Sequence, residues 1–439
     1  MITFFRSGKI IISGISLLLV LILSNFTIFA QGGGMYSDNP IYINTITTSV
    51  PLLLIAPDAR AGAMGDAGVA STPDANSIHW NPAKLAFVRQ DMGFSVSYTP
   101  WLRALVQDIN LAYLSGYKRI DKNQVIGLTL LYFSLGDIQF TDEYGNNTIQ
   151  FNPNEFALDI AYSRKLSDKV SGGMALRYIY SNLTGGVSVG GAESKAGRSI
   201  AADVSAYYED DVVIGAKDAI LGVGLNISNI GAKIAYTETA VKNFIPINMR
   251  LGGSLAIDID DFNTISLVAD LNKLLVPSPP VYEIDSTDGS PVTDGAGNKV
   301  IKYGEDPDRS IVSGIFGSFS DAPGTYYNSN TGEYVEEPGT FKEELREITY
   351  SVGLEYWYDK QFAIRVGYFH EHATKGNRKF FTLGAGLKYN VFGIDLAYLI
   401  PAYFNSYETQ NSPLGNTLRF TLLFDFEAFK DQDKDSPIE

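Results

Sequence analysis

From about residue 93 onward, apolar and polar positions alternate along the chain. Phe156, Leu158, Ile160 and Tyr162 interleave with Ala157, Asp159 and Ser163. Phe381, Leu383, Ala385, Leu387 and Tyr389 interleave with Thr382, Gly384, Gly386 and Lys388, and Leu418, Phe420, Leu422, Phe424 and Phe426 with Arg419, Thr421 and Asp425. A period of two puts apolar and aromatic side chains on one face of a strand and small or polar ones on the other. The pattern predicts fourteen strands, at about 93–99, 109–117, 124–135, 155–165, 170–180, 199–209, 219–228, 249–258, 262–272, 346–357, 361–370, 379–389, 392–400 and 416–426. Most have the roughly 9–11 residues that a tilted strand needs to cross a hydrocarbon layer.

The connections alternate too. Short turns fall at 119–123, 167–169, 259–261, 359–360 and 390–391, with 210–218 somewhat longer. Between them lie excursions near 136–154, 181–198, 229–248, 273–345 and 401–415. A soluble sandwich also alternates along its strands, but its loops carry no such two-sided rhythm. Short on one side and long on the other is the rhythm of an outer-membrane barrel. Lipid offers no partner to an unpaired amide, so an open sheet cannot span it while a closed one can. The fold class expected is therefore all-β, a fourteen-stranded antiparallel transmembrane β-barrel. Tyr98, Trp101, Tyr117, Tyr389, Tyr398 and Tyr403 fall near strand ends, where aromatic girdles sit. A charge facing lipid at mid-membrane costs about 2–4 kcal/mol, which assigns Asp159, Lys388, Arg419 and Asp425 to the lumen. An even strand count places both chain ends on the short-turn, periplasmic side, and a segment preceding the first strand is expected to begin there.

That segment is distinctive. Residues 57–87, PDARAGAMGDAGVASTPDANSIHWNPAKLAF, hold no sustained period and are crowded with turn formers. Their natural place is inside the barrel as a plug, which divides the chain into a hatch at 31–92, a barrel at 93–426 and a periplasmic tail at 427–439. Gly62 and Gly65 suit close packing in a crowded lumen. Trp80, Asn81, Pro82 and Ala83 are placed inside, with Asn81 and Pro82 in a turn against the wall. Asp58 and Arg60 either salt-bridge the plug to the wall or form a solvated pair. Before the hatch, Arg6 and Lys9 precede an apolar run from Ile10 to Leu23, and Ala30 suits cleavage before Gln31. Residues 1–30 read as a signal peptide; the alternative is an uncleaved anchor, since apolar character continues to Ala30.

Composition narrows the chemistry. The 439 residues include 26 Tyr, 25 Phe and 42 Gly, which favours strands and tight turns. There is no Cys, so disulfides, thiolate metal sites and cysteine nucleophiles are excluded. The formal charge of −15 provides no basic stripe for phosphates, and no nucleic-acid partner is expected. Residues 275–344 alone hold 13 acidic and 4 basic side chains and open with Pro277, Pro279 and Pro280. They form either a solvated loop or a docking surface at the mouth. Gly186-Val187-Ser188-Val189-Gly190 has nucleophile-elbow spacing, but no helix follows it. His370-Glu371-His372 offers two imidazoles where zinc wants three or four ligands, with only His79 elsewhere. The glycines at 62, 65 and 68 lack the Lys-Ser/Thr of a phosphate loop. No catalytic residue, metal or cofactor is expected.

The pairing of IAPDARAGAMGDAG with TPDANSIHWNPAKLAF resembles the N-terminal hatch of the PorV family, outer-membrane components of the type IX secretion system of Bacteroidota. Asn81-Pro82-Ala83 is also a short motif of FadL-type transporters. The resemblance covers leader, hatch and barrel, with the acidic 273–345 excursion least supported. It implies a FadL-like barrel closed by its hatch and a non-enzymatic role in secretion. The partners implied are a giant translocon barrel, the C-terminal signal domains of cargo, a sortase-like protease, and the outer-membrane lipid and lipopolysaccharide. Two other classes remain open at this point: a transporter of hydrophobic small molecules and a lipopolysaccharide deacylase.

Overall fold

The alternation closes into a barrel in the computed structural model, which describes residues 43–426 except 104, 105, 107, 142, 143, 187–193, 238–241, 286, 288, 329 and 403–413. The first strands are β1 (Met92–Pro100), β2 (Asn110–Arg119) and β3 (Gln124–Ser134), followed by a separate small hairpin, β4 (Ile138–Thr141) with β5 (Asn147–Phe151). The wall resumes with β6 (Asn154–Lys165), β7 (Val170–Asn182), β8 (Gly197–Ile214), β9 (Lys217–Gly231), β10 (Asn248–Asp258) and β11 (Asn263–Leu274). Four short strands decorate the next connection: β12 (Val281–Tyr282), β13 (Ile301–Tyr303), β14 (Tyr326–Asn328) and β15 (Glu333–Val335). The last wall strands are β16 (Thr349–Tyr358), β17 (Phe362–His370), β18 (Lys379–Tyr389), β19 (Phe392–Pro401) and β20 (Leu418–Asp425). Fourteen strands make one closed antiparallel barrel, sealed by β1 against β20 from Gly93↔Asp425 to Tyr98↔Phe420.

The two faces are inverted relative to a water-soluble sheet. Leu114, Leu128, Ile160, Leu176, Leu383 and Leu396 point outward and are exposed. Ser95, Thr129, Asp159, Ser163, Arg177, Glu355 and Thr421 point inward and are buried. An apolar exterior over a polar interior is the arrangement a barrel needs in lipid. Asp159 and Arg419 sit in the lumen, while Lys388 and Asp425 pair at 2.7 Å near the short-turn rim. Tyr98, Tyr389 and Tyr398 are exposed on the outer face. Tyr117 departs from the girdle expectation: its register opposite Gly93 turns it into the lumen against Ile78 and Leu85. Trp101 packs against the upper lumenal cluster, and Tyr403 lies outside the described residues.

Two connections also differ from expectation. At 210–218 there is no long turn, because β8 and β9 stay paired down to Ile214↔Lys217. The acidic 273–345 excursion is built from two small sheets and two short helices, Ile311–Gly317 and Thr340–Arg346. Ile160 is 60% exposed near the middle of β6. Replacing it with arginine should destabilise the barrel by about 2–4 kcal/mol, read as a lowered urea midpoint in lipid vesicles.

Candidate functional site

The hatch threads the lumen from the long-loop end downward. The Asn44 amide donates to the Thr374 carbonyl at 2.8 Å, and its side chain donates to Glu343 at 2.9 Å. Ser49 N donates to Phe244 O at 2.8 Å. All three partners belong to connections at the long-loop end of the barrel. Below them the turn Pro51–Leu54 buries Leu52 and Leu53 among Leu111, Tyr113, Leu131, Ile179, Ile245 and Ile247. From residue 43 onward the hatch therefore runs down from the long-loop end, against the expectation of a start on the short-turn side; residues 31–42 lie outside the described residues. Strand parity fixes where residue 92 lies; it does not fix the direction of the chain before it. The apolar residues Val50, Leu52 and Leu53 draw that chain into the apolar upper lumen.

In mid-lumen the hatch forms one short helical turn, Ala59–Gly62. Asp58 caps it by accepting from Ala61 N at 2.9 Å and also accepts from Trp80 Nε1 at 2.7 Å. Asp58 thus ties the hatch to itself and not to the wall. Arg60 does reach the wall, donating to both carboxylate oxygens of Glu355 at 3.0 and 2.8 Å and to Asp74 at 2.9 Å. Glu355 also takes Arg365 at 2.6 Å, and Arg365 continues to Asp395 at 2.6 Å. Removing one member of such a buried set leaves a charge unpaired and costs about 3–5 kcal/mol.

The irregular backbone that follows is paired by inward-facing side chains. Thr382 Oγ1 accepts from Gly65 N at 2.9 Å and donates to Ala63 O at 2.8 Å. Gly65 has φ +69°, and a Cβ there would lie 2.5 Å from the Tyr368 carbonyl oxygen. Gly62 lies against the Arg419 guanidinium, which donates to Asp66 at 2.9 Å. Asp270 accepts from Gly68 N at 2.6 Å and Val69 N at 2.9 Å. Lys84 donates to Gly68 O at 2.6 Å and Ser71 Oγ at 3.0 Å.

The Asn81-Pro82-Ala83 motif is a turn with a wall contact at every step. The Asn81 side chain accepts from Ala83 N at 3.0 Å and donates to Val69 O and Ala206 O, each at 3.1 Å. Pro82 then opens the 3-10 turn Pro82–Phe87. Ala83 N also donates to Ser205 Oγ at 3.0 Å, and Ala83 O accepts from Ser163 at 2.9 Å and Ser171 at 2.7 Å. Trp80 O accepts from Asn226 at 3.0 Å, and the Arg250 guanidinium lies 5.2 Å from the Trp80 ring centre. Gly173 admits this turn, since a Cβ there would fall 2.3 Å from Ala83 N.

Above the lumen a second charged cluster binds the long loops together. Lys273 donates to Glu344 at 2.9 Å and Glu347 at 2.8 Å, and Lys375 to Glu343 at 2.7 Å and Glu347 at 3.0 Å. Burial pushes the Glu347 carboxyl up, but Lys273, Lys375 and the Ser278 hydroxyl outweigh it and hold it below the usual range. In the same connection Val312, Phe316, Phe319, Phe341 and Leu345 are exposed. His372 caps its own turn, with Nδ1 3.0 Å from Thr374 Oγ1, and no group of three metal-ligating side chains occurs among the described residues. Ser188 lies outside the described residues.

The wall partners Glu355, Asp270, Thr382, Ser163, Ser171 and Ser205 were missed from sequence. Their signal was available as polar residues at the inward positions of strands, but nothing local says which hatch atom each one meets.

Gly173→Leu should unseat the 82–87 turn and raise single-channel conductance in planar bilayers at least several-fold. Gly172→Leu, facing outward, should not. For Glu347 the folded-state pKa is depressed, so its stabilisation is complete above the unfolded value and lost as pH falls through the folded one. Limited proteolysis of the 277–341 connection should therefore accelerate only once pH falls below the ordinary glutamate range of about 4. Glu347→Gln should loosen it at neutral pH.

The toluene transporter TodX of P. putida is similar at 12% identity and TM-score 0.47, over 85% of this chain and 99% of that one. A FadL homologue from Pseudomonas aeruginosa matches at 12% identity and TM-score 0.41, over 88% of this chain and 100% of that one. LpxR from Salmonella typhimurium matches at 6% identity and TM-score 0.31, over 76% and 100% respectively. No curated protein sequence matches. The family model described as type IX secretion system protein PorV matches residues 39–281, just over half of the chain and all of the described hatch. The chain belongs to the PorV family of type IX secretion system proteins.

Proposed function

We propose that the protein is a plugged outer-membrane barrel that receives type IX cargo through its long loops. In this reading the long loops face the cell exterior, the short turns face the periplasm, residues 1–30 direct export and residues 427–439 form a periplasmic tail. Cargo bearing a C-terminal signal domain is taken from a giant translocon barrel and passed to a sortase-like protease, with no catalysis by this chain. The carrying observation is the seated hatch. It is hydrogen-bonded to wall residues from β1 round to β20, including Ser205, Asp270, Thr382 and Thr421. A lumen filled in this way gives a folded domain no route, so contact must occur on the outer surface. A specific protein contact takes about 800 Å² per partner, which the short turns cannot offer.

The long 273–345 connection supports that reading by its chemistry. Phe316 and Phe341 are 75% and 78% exposed on a strongly acidic subdomain. Exposed apolar side chains in an acidic surround suit an interface whose approach is steered by charge. Phe316→Asp with Phe341→Asp should leave the barrel folded, as judged by heat-modifiable gel mobility. It should also lower recovery of translocon and signal-domain cargo at least several-fold in pull-downs from outer membranes. Unchanged recovery removes this surface from the proposal. Loss of activity in Ser188→Ala, with altered lipid A, favours the deacylase class instead.

A FadL-type path for hydrophobic small molecules is the second reading. The apolar cluster around Leu52 and Leu53 in the upper lumen favours it. Uptake of a labelled hydrocarbon that rises with expression of this chain would support that path.

A further inference from the structure

One hairpin outruns the barrel wall on the short-turn side. β8 and β9 are 18 and 15 residues long. β7 stays with β8 only as far as Val170↔Tyr208, and the last bond across that seam runs from Glu209 N to Lys169 O. β8 then continues against β9 alone, from Asp210↔Leu221 to Ile214↔Lys217. Residues 210–214 therefore have a sheet neighbour on one side only.

The direction of the free backbone groups follows from strand geometry. Within a strand the N–H and C=O of alternate residues point to the same side. Glu209 N points toward β7, so Asp211 and Val213 point that way too, past the end of β7 and into open space. Val212 and Ile214 face β9. Ile214↔Lys217 closes the two-residue turn, the position where a hairpin makes its narrow bonded pair. The open edge offers about three free backbone groups, the Asp211 and Val213 carbonyls and the Val213 N–H, because the Asp211 N–H also faces the Asp210 carboxylate.

Side chains set what can use it. Asp211 is exposed, Val213 is 68% exposed, and Asp210 is held by Lys169 at 2.7 Å and Tyr208 at 2.8 Å. Glu209, Asp210, Asp211 and Asp218 crowd the hairpin, against Lys217 as its one cation. Charge on an exposed edge keeps like edges from pairing, so two copies of this acidic strand repel. An edge that excludes itself remains open to a strand of opposite charge.

We propose that the open edge of β8 at Asp211 and Val213 docks an extended, basic segment of a partner protein, which adds to the barrel hairpin as one more strand. The site lies at the opposite end from the long loops and does not rest on the cargo-receiving role.

The test uses the full-length protein in detergent micelles and a fluorescein-labelled peptide of alternating Lys and Val, with a Glu–Val peptide of equal length as comparison. The Lys–Val peptide should bind by anisotropy and the Glu–Val peptide should not. Val213→Pro should weaken binding at least tenfold, because proline removes an N–H that faces the open edge and leaves the β9 bonds intact. Asp211→Lys should shift preference to the Glu–Val peptide without altering gel mobility. Amide exchange at Val213 should be fast in the free protein and slowed by the Lys–Val peptide. Equal binding by wild type and Val213→Pro overturns the proposal in favour of non-specific charge attraction. Absence of binding overturns it, as does protection of the Val213 amide before peptide is added. A dimer in sedimentation that Val213→Pro dissolves assigns the edge to a second copy and likewise overturns it.

Discussion

A chain segment without regular structure can be buried only if other groups pair its backbone. Residues 56–88 come close to that, with only three short helical turns among them, and nearly all of them are buried. The wall meets the demand with short polar side chains: Asp270 for Gly68 and Val69, Thr382 for Ala63 and Gly65, Ser163 and Ser171 for Ala83, Asn226 for Trp80. Each such bond adds only about 0.5–1.5 kcal/mol net, yet leaving one unmade costs about 1–3 kcal/mol. The penalty for mismatch therefore exceeds the reward for any single bond, and it is the mismatch that fixes the seat. Inner face and hatch are one design: serine, threonine and aspartate stand inward because an unpaired peptide would otherwise face them.

The fourteen strands were legible because burial in lipid forces a period of two at every wall position. Tyr117 shows where that signal stops. Its place near a strand end suggested the outer girdle, but direction depends on register, and one residue of register reverses the face. The same limit applies to Asp58 and Arg60. Both were visible as hatch charges, yet only Arg60 reaches Glu355, some three hundred residues away in sequence, while Asp58 turns back to Trp80. Contacts at that separation leave no local pattern. The Asn81-Pro82-Ala83 turn was readable for the opposite reason: an Asn side chain capping the amide two residues on is a local device, complete within the motif.

The direction of the hatch was the least legible feature, and it carries the most consequence. Because the chain enters from the long-loop end, Asn44 sits where Glu343, Pro279 and Thr374 meet. Glu343 is shared, accepting also from Lys375 and from Gly324 N. Lys375 goes on to Glu347, and Glu347 to Lys273 on the wall. The upper end of the plug is thus held by the same ion pairs that order the long connection.

Those ion pairs place one short helix between two jobs. Thr340–Arg346 has seven residues, too few to be stable as an isolated helix, so tertiary contacts must hold it. Glu343 and Glu344 face inward to Asn44, Lys375 and Lys273, while Phe341 and Leu345, one turn apart, are exposed. A protein that binds the outer side with preference for one position of this helix must also bias the anchor of the hatch, because the two faces share a backbone. The size of that bias is bounded by the binder's differential affinity for the two positions, and it vanishes if the helix does not move. Any such bias would pass from Phe341 to Asn44 through one helical turn and a few charge-assisted bonds. No longer route through the barrel wall is needed to connect the outer surface with the plug.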